Sequence, residues 1–259
     1  MKAPQKIVQL SDIHLLGDVG ESLEGVDACQ NLEEVRAAIE TEMGDFDLMV
    51  LTGDLAHEGT EKAYSALRRV LGPWWERVRC VPGNHDFRGA FSRVLKGRES
   101  EEQLGFEHNL NGWRVIGLDT LMEGKAPGRL QKDQIHQLEA ARRSEPEMPT
   151  LLFMHHPPLP VGSSWIDAMS LENPADLERV ASDWPGLRGV FCGHVHQDFV
   201  GSLGGVPVWT TPSTAIQILP GSDQFVLDTR FGPGWRLIRL YEDTIETEVF
   251  YLPRKENAG

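Results

Sequence analysis

Ile7-Val8-Gln9-Leu10-Ser11-Asp12-Ile13-His14 is a short apolar-rich run that stops abruptly at a carboxylate and an imidazole. A run of this length reads as a strand, and its polar end as the loop beyond it. The same plan recurs along the chain. Leu48 to Leu51 closes on Thr52-Gly53-Asp54, Val78 to Val81 on Pro82-Gly83-Asn84-His85-Asp86, Leu151 to Met154 on His155-His156, and Gly189 to Cys192 on Gly193-His194-Val195-His196. Continuous apolar runs of this kind suit buried parallel strands, and ligands gather where the carboxyl ends of such strands meet a sheet edge. Residues far apart in the chain are thereby expected to meet in space.

Helical spacing fills the intervals, with Leu32, Val35 and Ile39 on one face and Tyr64, Leu67 and Leu71 on another. Farther on, Trp113 to Leu118 reads as a strand, and helices are expected over about Gln131 to Arg143 and near Ala175 to Ala181. Strand, loop and helix in repeated order indicate an α/β fold with a parallel or mixed sheet. The C-terminal part changes character. Phe199 to Leu203, Val206 to Trp209, Phe225 to Leu227, Trp235 to Leu240 and Thr244 to Phe250 are β-like runs between Gly, Pro and Asp turns, and predict a second, largely antiparallel sheet. Two sheets packed face to face with helices outside, in one domain over residues 1–259, is the simplest arrangement that shares a core.

A chain of 259 residues can bury an ordinary core without disulfides. Its three cysteines, Cys29, Cys80 and Cys192, have no CxxC spacing and read as reduced thiols, with Cys192 a small core residue. The start, Met1 to Gln5, has no signal-peptide character and no stretch approaches the length of a membrane span, so a cytoplasmic protein without a membrane partner is expected. Acidic residues outnumber basic ones 39 to 25, for a formal charge of −14. That field repels nucleic-acid polymers. A small anion remains compatible if bound cations invert the sign locally.

Six of the nine histidines fall in the motifs at the strand ends. Asp12 and His14 are two apart, which in an extended strand places both side chains on one side, and His194 and His196 repeat the spacing. Asp54, Asn84 and His155 add a carboxylate, an amide oxygen and another imidazole. Seven candidate ligands exceed what one ion with an open position needs, so two ions sharing a bridging carboxylate is the economical reading. Gly53, Gly83 and Gly193 each precede a candidate ligand, where the lack of a Cβ permits a sharp turn or close approach. His85 is followed by Asp86, which is placed to accept a hydrogen bond from the imidazole and set its tautomer in the manner of acid/base sites.

The ordered set Asp12-Ile13-His14, Gly53-Asp54, Gly83-Asn84-His85-Asp86, His155-His156-Pro157-Pro158 and Gly193-His194-Val195-His196 resembles the calcineurin-like metallophosphoesterases over essentially the whole chain. Within that superfamily, Leu10 to Leu15, His155 to Trp165, Pro212-Ser213-Thr214, Asp228-Thr229 and Gly234-Trp235-Arg236 resemble the bacterial class III cyclic nucleotide phosphodiesterases. The resemblance implies a two-sheet α/β/β/α sandwich and two divalent ions, iron or manganese first, with zinc, cobalt or nickel also suited to the mixed ligation. It implies Asp12, His14 and His196 at one ion, Asn84, His155 and His194 at the other, and Asp54 between them. His156 is the alternative to His155. His57, His108 and His136 match no family motif and read as surface or loop residues.

The resemblance further implies hydrolysis of 3′,5′-cyclic AMP to 5′-AMP by a metal-bridging hydroxide. Substrate contacts would come from Asn84, His85 and His196, with His85 and Asp86 catalytic. The same seven ligands also suit glycerophosphodiesters, cyclic GMP, 2′,3′-cyclic nucleotides or monoesters, and a non-catalytic protein-binding scaffold is a further alternative. A scaffold would be expected to have lost a ligand or His85, and neither is missing. Substrate walls are sought in Asp54 to Gly59, Gly162 to Trp165 and Pro212 to Gln217. Trp165 suits either base stacking or core packing. Arg88 suits either a phosphate contact or a solvated helix start.

Overall fold

Each of the five apolar runs forms a strand in the computed structural model, which describes residues 3–17, 21–96 and 104–254. Met1 and Lys2 of the N-terminal segment, and both extremes of the expected 1–259 domain, lie outside those residues. The first half runs β1 (Gln5–Leu10), α1 (Ala28–Ala38), β2 (Leu48–Thr52), α2 (Glu61–Val70), β3 (Val78–Val81), α3 (Arg88–Phe91), β4 (Phe106–Leu110) and β5 (Trp113–Gly117). The second runs α4 (Lys132–Ser144), β6 (Thr150–Met154), α5 (Ser164–Asp167), α6 (Pro174–Ala181), β7 (Leu187–Cys192), β8 (Phe199–Leu203), β9 (Val206–Thr210), β10 (Gly234–Leu240) and β11 (Ile245–Tyr251).

The strands form two mixed sheets, ordered β11-β10-β1-β2-β3 and β4-β5-β6-β7-β9-β8. Alternation along β1 and β2 assigns the faces. Ile7, Leu48 and Val50 point to the second sheet and meet Val115, Leu151, Phe153 and Phe191, while Val8, Leu10, Met49 and Leu51 point outward to α1 and α2. On the far side, Leu152, Met154, Val190 and Cys192 pack with Ile135 and Leu138 of α4 and Leu177 and Val180 of α6. The helices form where their caps and stripes predict. Asp27 accepts from the Gln30 N–H at 3.0 Å to start α1, and Thr60 accepts from the Ala63 N–H at 3.3 Å to start α2. In α2, Ala63, Tyr64, Leu67 and Val70 are the buried positions, which form one stripe at helical spacing.

Two expectations are corrected. The C-terminal strands do not make a second, largely antiparallel sheet of their own. β10 and β11 extend the first sheet antiparallel from β1, whereas β9 joins β7 in parallel and β8 closes that edge. Each parallel core would otherwise end in a row of unpaired backbone groups, and the late strands cover one such row in each sheet. Phe225 to Leu227 is not a strand, and Leu227 makes a single isolated bridge to Ile218.

Arg236, in one of the segments of subfamily resemblance, is buried and donates to Thr247 Oγ1 and to the Thr210 carbonyl, at 2.9 and 2.8 Å. It thus ties β10 to β9 across the two sheets. Gln9 does the same beside the strand ends, donating to Thr52 Oγ1 at 2.9 Å and to the Cys192 carbonyl at 3.2 Å.

Candidate metal centre

The parallel strands β1, β2, β3, β6 and β7 deliver their polar ends to one place. Leu10, Thr52, Val81, Met154 and Cys192 close these strands, and the candidate ligands follow within a few residues of each. The loops are joined by backbone hydrogen bonds: Asp12 N–H to Gly53 O at 3.0 Å, His14 N–H to Asp54 O at 2.8 Å, and Gly193 N–H to His155 O at 3.0 Å.

Asp12 and His14 do not share a side because a strand is extended there, and that expectation is corrected. Their φ angles are 52° and 49°, and those of Asp54, His194 and His196 are 51°, 72° and 51°. Five ligand-type residues thus lie in the left-handed region, each costing about 1–2 kcal/mol for a side chain with a Cβ. The tight curl turns alternate side chains inward from loops too short to do so otherwise. Such strain persists only where surroundings over-determine it, and here Ser213 Oγ donates to Asp12 O at 2.7 Å while both Asp12 oxygens lie 3.0 Å from the His194 nitrogen.

The glycines serve close approach, as expected. A Cβ on Gly83 would lie 2.2 Å from Asp54 Oδ1, and one on Gly193 would lie 2.0 Å from Ser11 Oγ.

The donor atoms converge. His14 Nε2 and His196 Nε2 are 3.3 Å apart, and His196 Nε2 is 3.4 Å from Asp12 Oδ1. On the other side, His155 Nε2 lies 3.1 Å from Asn84 Oδ1 and 3.2 Å from His194 Nδ1. Asp54 stands between, its Oδ2 3.7 Å from His14 Nε2 and 3.4 Å from His155 Nε2. Donors sharing one ion at bonds of about 2.0–2.1 Å are separated by roughly 3.0–3.5 Å, so these spacings fit divalent metal ions.

Ring orientation fits as well. His155 Nδ1 donates to Thr52 O at 2.8 Å and His196 Nδ1 to Ile216 O at 2.7 Å, which leaves both Nε2 atoms facing the cluster. His194 Nε2 is buried and has no hydrogen-bond partner. His156 differs. Its Nδ1 is 2.8 Å from Thr120 Oγ1 and its Nε2 3.0 Å from Ala126 O, so both ring nitrogens are engaged by groups other than the candidate ligands.

Burial dominates the electrostatics. It holds His14 and His194 down to about 3, against the pull of Asp54, so both are neutral lone-pair donors near pH 7. Burial alone would also lower His155, but the Asp54 carboxylate outweighs it and lifts the imidazole to about 9. For Asp12 and Asp54 burial would raise the carboxyls, and the facing His196 and His155 hold them below the ordinary range instead.

His85 sits at the exposed side. Its N–H donates to Asp54 Oδ1 at 2.8 Å, and its Nδ1 donates to the His57 carbonyl at 2.9 Å, leaving Nε2 for the solvent side. The expected His85–Asp86 side-chain pair is not formed, and this is a correction. Asp86 is buried and accepts from the N–H groups of Leu55, Ala56 and Gly83 and from Tyr64 O–H, at 3.1, 3.1, 2.9 and 2.9 Å. The backbone claims its oxygens because the loops after β2 and β3 bring their N–H groups to that point. Burial, then the charge of Asp54, raises its carboxyl to about 6.

His57, expected as a surface or loop residue, lies in the loop after β2 and belongs to the site. Its ring stacks on His85 with centroids 4.8 Å apart and planes at 21°, and its Nδ1 lies 3.2 Å from His14 Nδ1. Its one sequence signal was proximity, three residues beyond Asp54. His108, on β4, and His136, on α4, lie outside the cluster.

Arg88 opens α3 but is not solvated. Its guanidinium pairs with Asp119 and donates to Leu121 O at 3.1 Å. Trp165 packs against Val161, Ile166, Val195 and Ile218, edge-on to Phe225 at 5.9 Å, which favours the packing role. The stretch Pro212 to Gln217 braces the ligand loops through Ser213 and the Ile216 carbonyl.

A profile of the family described as Calcineurin-like phosphoesterase matches residues 5–198. The chain is 38% identical to the 3′,5′-cyclic adenosine monophosphate phosphodiesterase CpdA of Pseudomonas aeruginosa, over 94% of this chain and 88% of that protein. It is 36% identical to CpdA of Escherichia coli (strain K12), over 97% and 91% respectively. In fold it is similar to a dimetal phosphatase from Danio rerio, with a TM-score of 0.71 at 15% identity and 96% coverage of both chains.

Proposed function

Since the chain belongs to the calcineurin-like phosphoesterase family, we propose that it hydrolyses 3′,5′-cyclic AMP to 5′-AMP. The carrying observation is the convergence of Asp12, His14, Asp54, Asn84, His155, His194 and His196 in a relative of two CpdA enzymes that is similar over nearly its full length.

In this reading Asp12, His14 and His196 would hold one ion, Asn84, His155 and His194 the second, and Asp54 both. Iron or manganese suits the mixed oxygen and nitrogen donors. When bound, the two cations supply Lewis acidity at the phosphoryl group and make water ionisable near neutrality. The chain's own residues do the rest. Thr52 O and Ile216 O hold two imidazoles in the tautomer that presents Nε2. The His57 carbonyl holds the Nδ1 hydrogen of His85, so Nε2 is the nitrogen that meets substrate, and the doubly protonated ring would give its Nε2 proton to the departing 3′-oxygen and be left as the Nδ1–H imidazole. Asn84 and His196 would contact the phosphate. Asp86 builds the loop and takes no part in proton transfer.

Arg88 is committed to Asp119, and the ions would supply positive charge for the anion. We read residues 1–259 as one domain, supported by the return of β10 and β11 to β1. A reducing, cytoplasmic setting fits the free Cys29, Cys80 and Cys192. Among the described residues no helix is long and apolar enough to cross a membrane.

The test is a substrate panel with metal-reconstituted protein: cyclic AMP, cyclic GMP, a 2′,3′-cyclic nucleotide, bis(p-nitrophenyl) phosphate and a monoester. Cyclic AMP should give the highest kcat/KM among the natural substrates. A monoester or a 2′,3′-cyclic nucleotide well above it would overturn the substrate assignment.

A further inference from the structure

We infer that His57 is a positioning residue for the metal centre: its ring Nδ1 accepts the Nδ1 hydrogen of His14 and so turns the His14 Nε2 lone pair toward the ions. This rests on the reading above, since it needs His14 to be a ligand.

The two Nδ1 atoms are 3.2 Å apart. Two bare lone pairs facing each other at that distance repel, so one nitrogen carries the hydrogen. His14 Nε2 faces His196 Nε2 at 3.3 Å and Asp54 Oδ2 at 3.7 Å, and must be free of hydrogen to bind a cation there. The hydrogen therefore belongs on His14 Nδ1, and His57 Nδ1 is its acceptor. A ligating imidazole generally donates its second N–H to an acceptor that sets tautomer and basicity. His155 and His196 use backbone carbonyls for this, from Thr52 and Ile216. For His14 the acceptor at hydrogen-bond distance is the His57 ring.

His57 is held to serve. Its N–H donates to Leu15 O at 2.9 Å, one residue beyond His14, so the two residues sit on adjacent backbone segments. Its ring is backed by His85 at 4.8 Å and 21°. Its carbonyl takes the His85 Nδ1 hydrogen at 2.9 Å. Side chain and main chain of one residue thus orient two neighbouring imidazoles of the site, His14 and His85.

His57→Phe keeps a ring against His85 but removes the acceptor, whereas His57→Asn removes the ring and offers an amide oxygen near the Nδ1 position. Manganese(II) affinity of the full chain is read by competition with a chromogenic chelator, independently of turnover, with His14→Ala as reference. His57→Phe should bind about 10–100-fold more weakly, the usual cost of losing an outer partner, and His57→Asn should stay within about threefold of wild type.

Equal affinities for the Phe and Asn variants, both weakened or both unchanged, would overturn the inference. Should the Phe variant not fold, His57→Ala against His57→Asn makes the same comparison. Wild-type affinity in His14→Ala would bring down the metal-centre reading itself, and the inference with it. A weakened His14→Ala beside an unchanged His57→Phe would sink the inference alone.

Discussion

Both carboxylate oxygens of Asp12 lie 3.0 Å from the backbone nitrogen of His194, 182 residues later in the chain. The first and last motifs are thus locked together before any ion binds. An ion held by these loops stabilises contacts that span the whole fold, so binding and folding are linked.

Metal removal should therefore lower thermal stability as well as activity. A ligand at one hundred times its Kd adds about 2.7 kcal/mol, and each kcal/mol moves Tm by about 2–4 °C in a chain of this size. Chelation should lower Tm by several degrees or more, and added manganese or iron should restore both Tm and turnover. Scanning fluorimetry with and without chelator checks this. An unchanged Tm on complete metal removal would detach the cluster from the fold's stability.

Asp54→Ala should empty both positions, whereas Asn84→Ala should weaken chiefly one. The motive is the placement of Asp54 Oδ2, 3.7 Å from His14 Nε2 and 3.4 Å from His155 Nε2. Elemental analysis after gel filtration should find the metal content of the Asp54 variant well below that of the Asn84 variant. Near-normal content in the Asp54 variant would remove it from the bridging role.

His85→Ala should keep its metals and lose turnover. The backbone N–H bond from residue 85 to Asp54 Oδ1 survives the change. General acid catalysis contributes about 10²–10⁴-fold, and kcat should fall within that range. Metal analysis beside steady-state kinetics decides it, and wild-type kcat at full metal content would exclude His85 from the chemistry.

Asp86→Ala should act on folding. It deprives the Leu55, Ala56 and Gly83 N–H groups and the Tyr64 hydroxyl of their acceptor in a buried place. An unsatisfied buried donor costs about 1–3 kcal/mol, so urea denaturation of the metal-free protein should show a loss of about 4 kcal/mol or more. A variant with wild-type stability and a selective loss of kcat would instead restore Asp86 to the catalytic pair.

How far these relationships could be read in the chain varies with their range. The strand ends were legible because an apolar run followed by Asp, Asn or His is a local pattern, and Gly53, Gly83 and Gly193 marked where backbones crowd. The backbone at Asp12 and His14 was not, since spacing alone cannot distinguish an extended pair from two left-handed residues. Asp86 was misread for a similar reason. A carboxylate next to a histidine is a local cue, but the three N–H groups and the tyrosine that claim it arrive from elsewhere.

The order of the motifs determined by itself the family, the ligand types and their arrival at parallel strand ends, because residue chemistry and apolar periodicity are properties of short segments. Only the tertiary structure decided that β8 and β9 join one sheet while β10 and β11 join the other. Alternating strands look alike until a particular open edge accepts them. It decided equally that His57 stands beside His14 and that the His156 ring nitrogens are taken by Thr120 and Ala126. A ring nitrogen's role depends on which atom lies within about 3 Å of it, and that neighbour is supplied by the packing of loops distant in the chain.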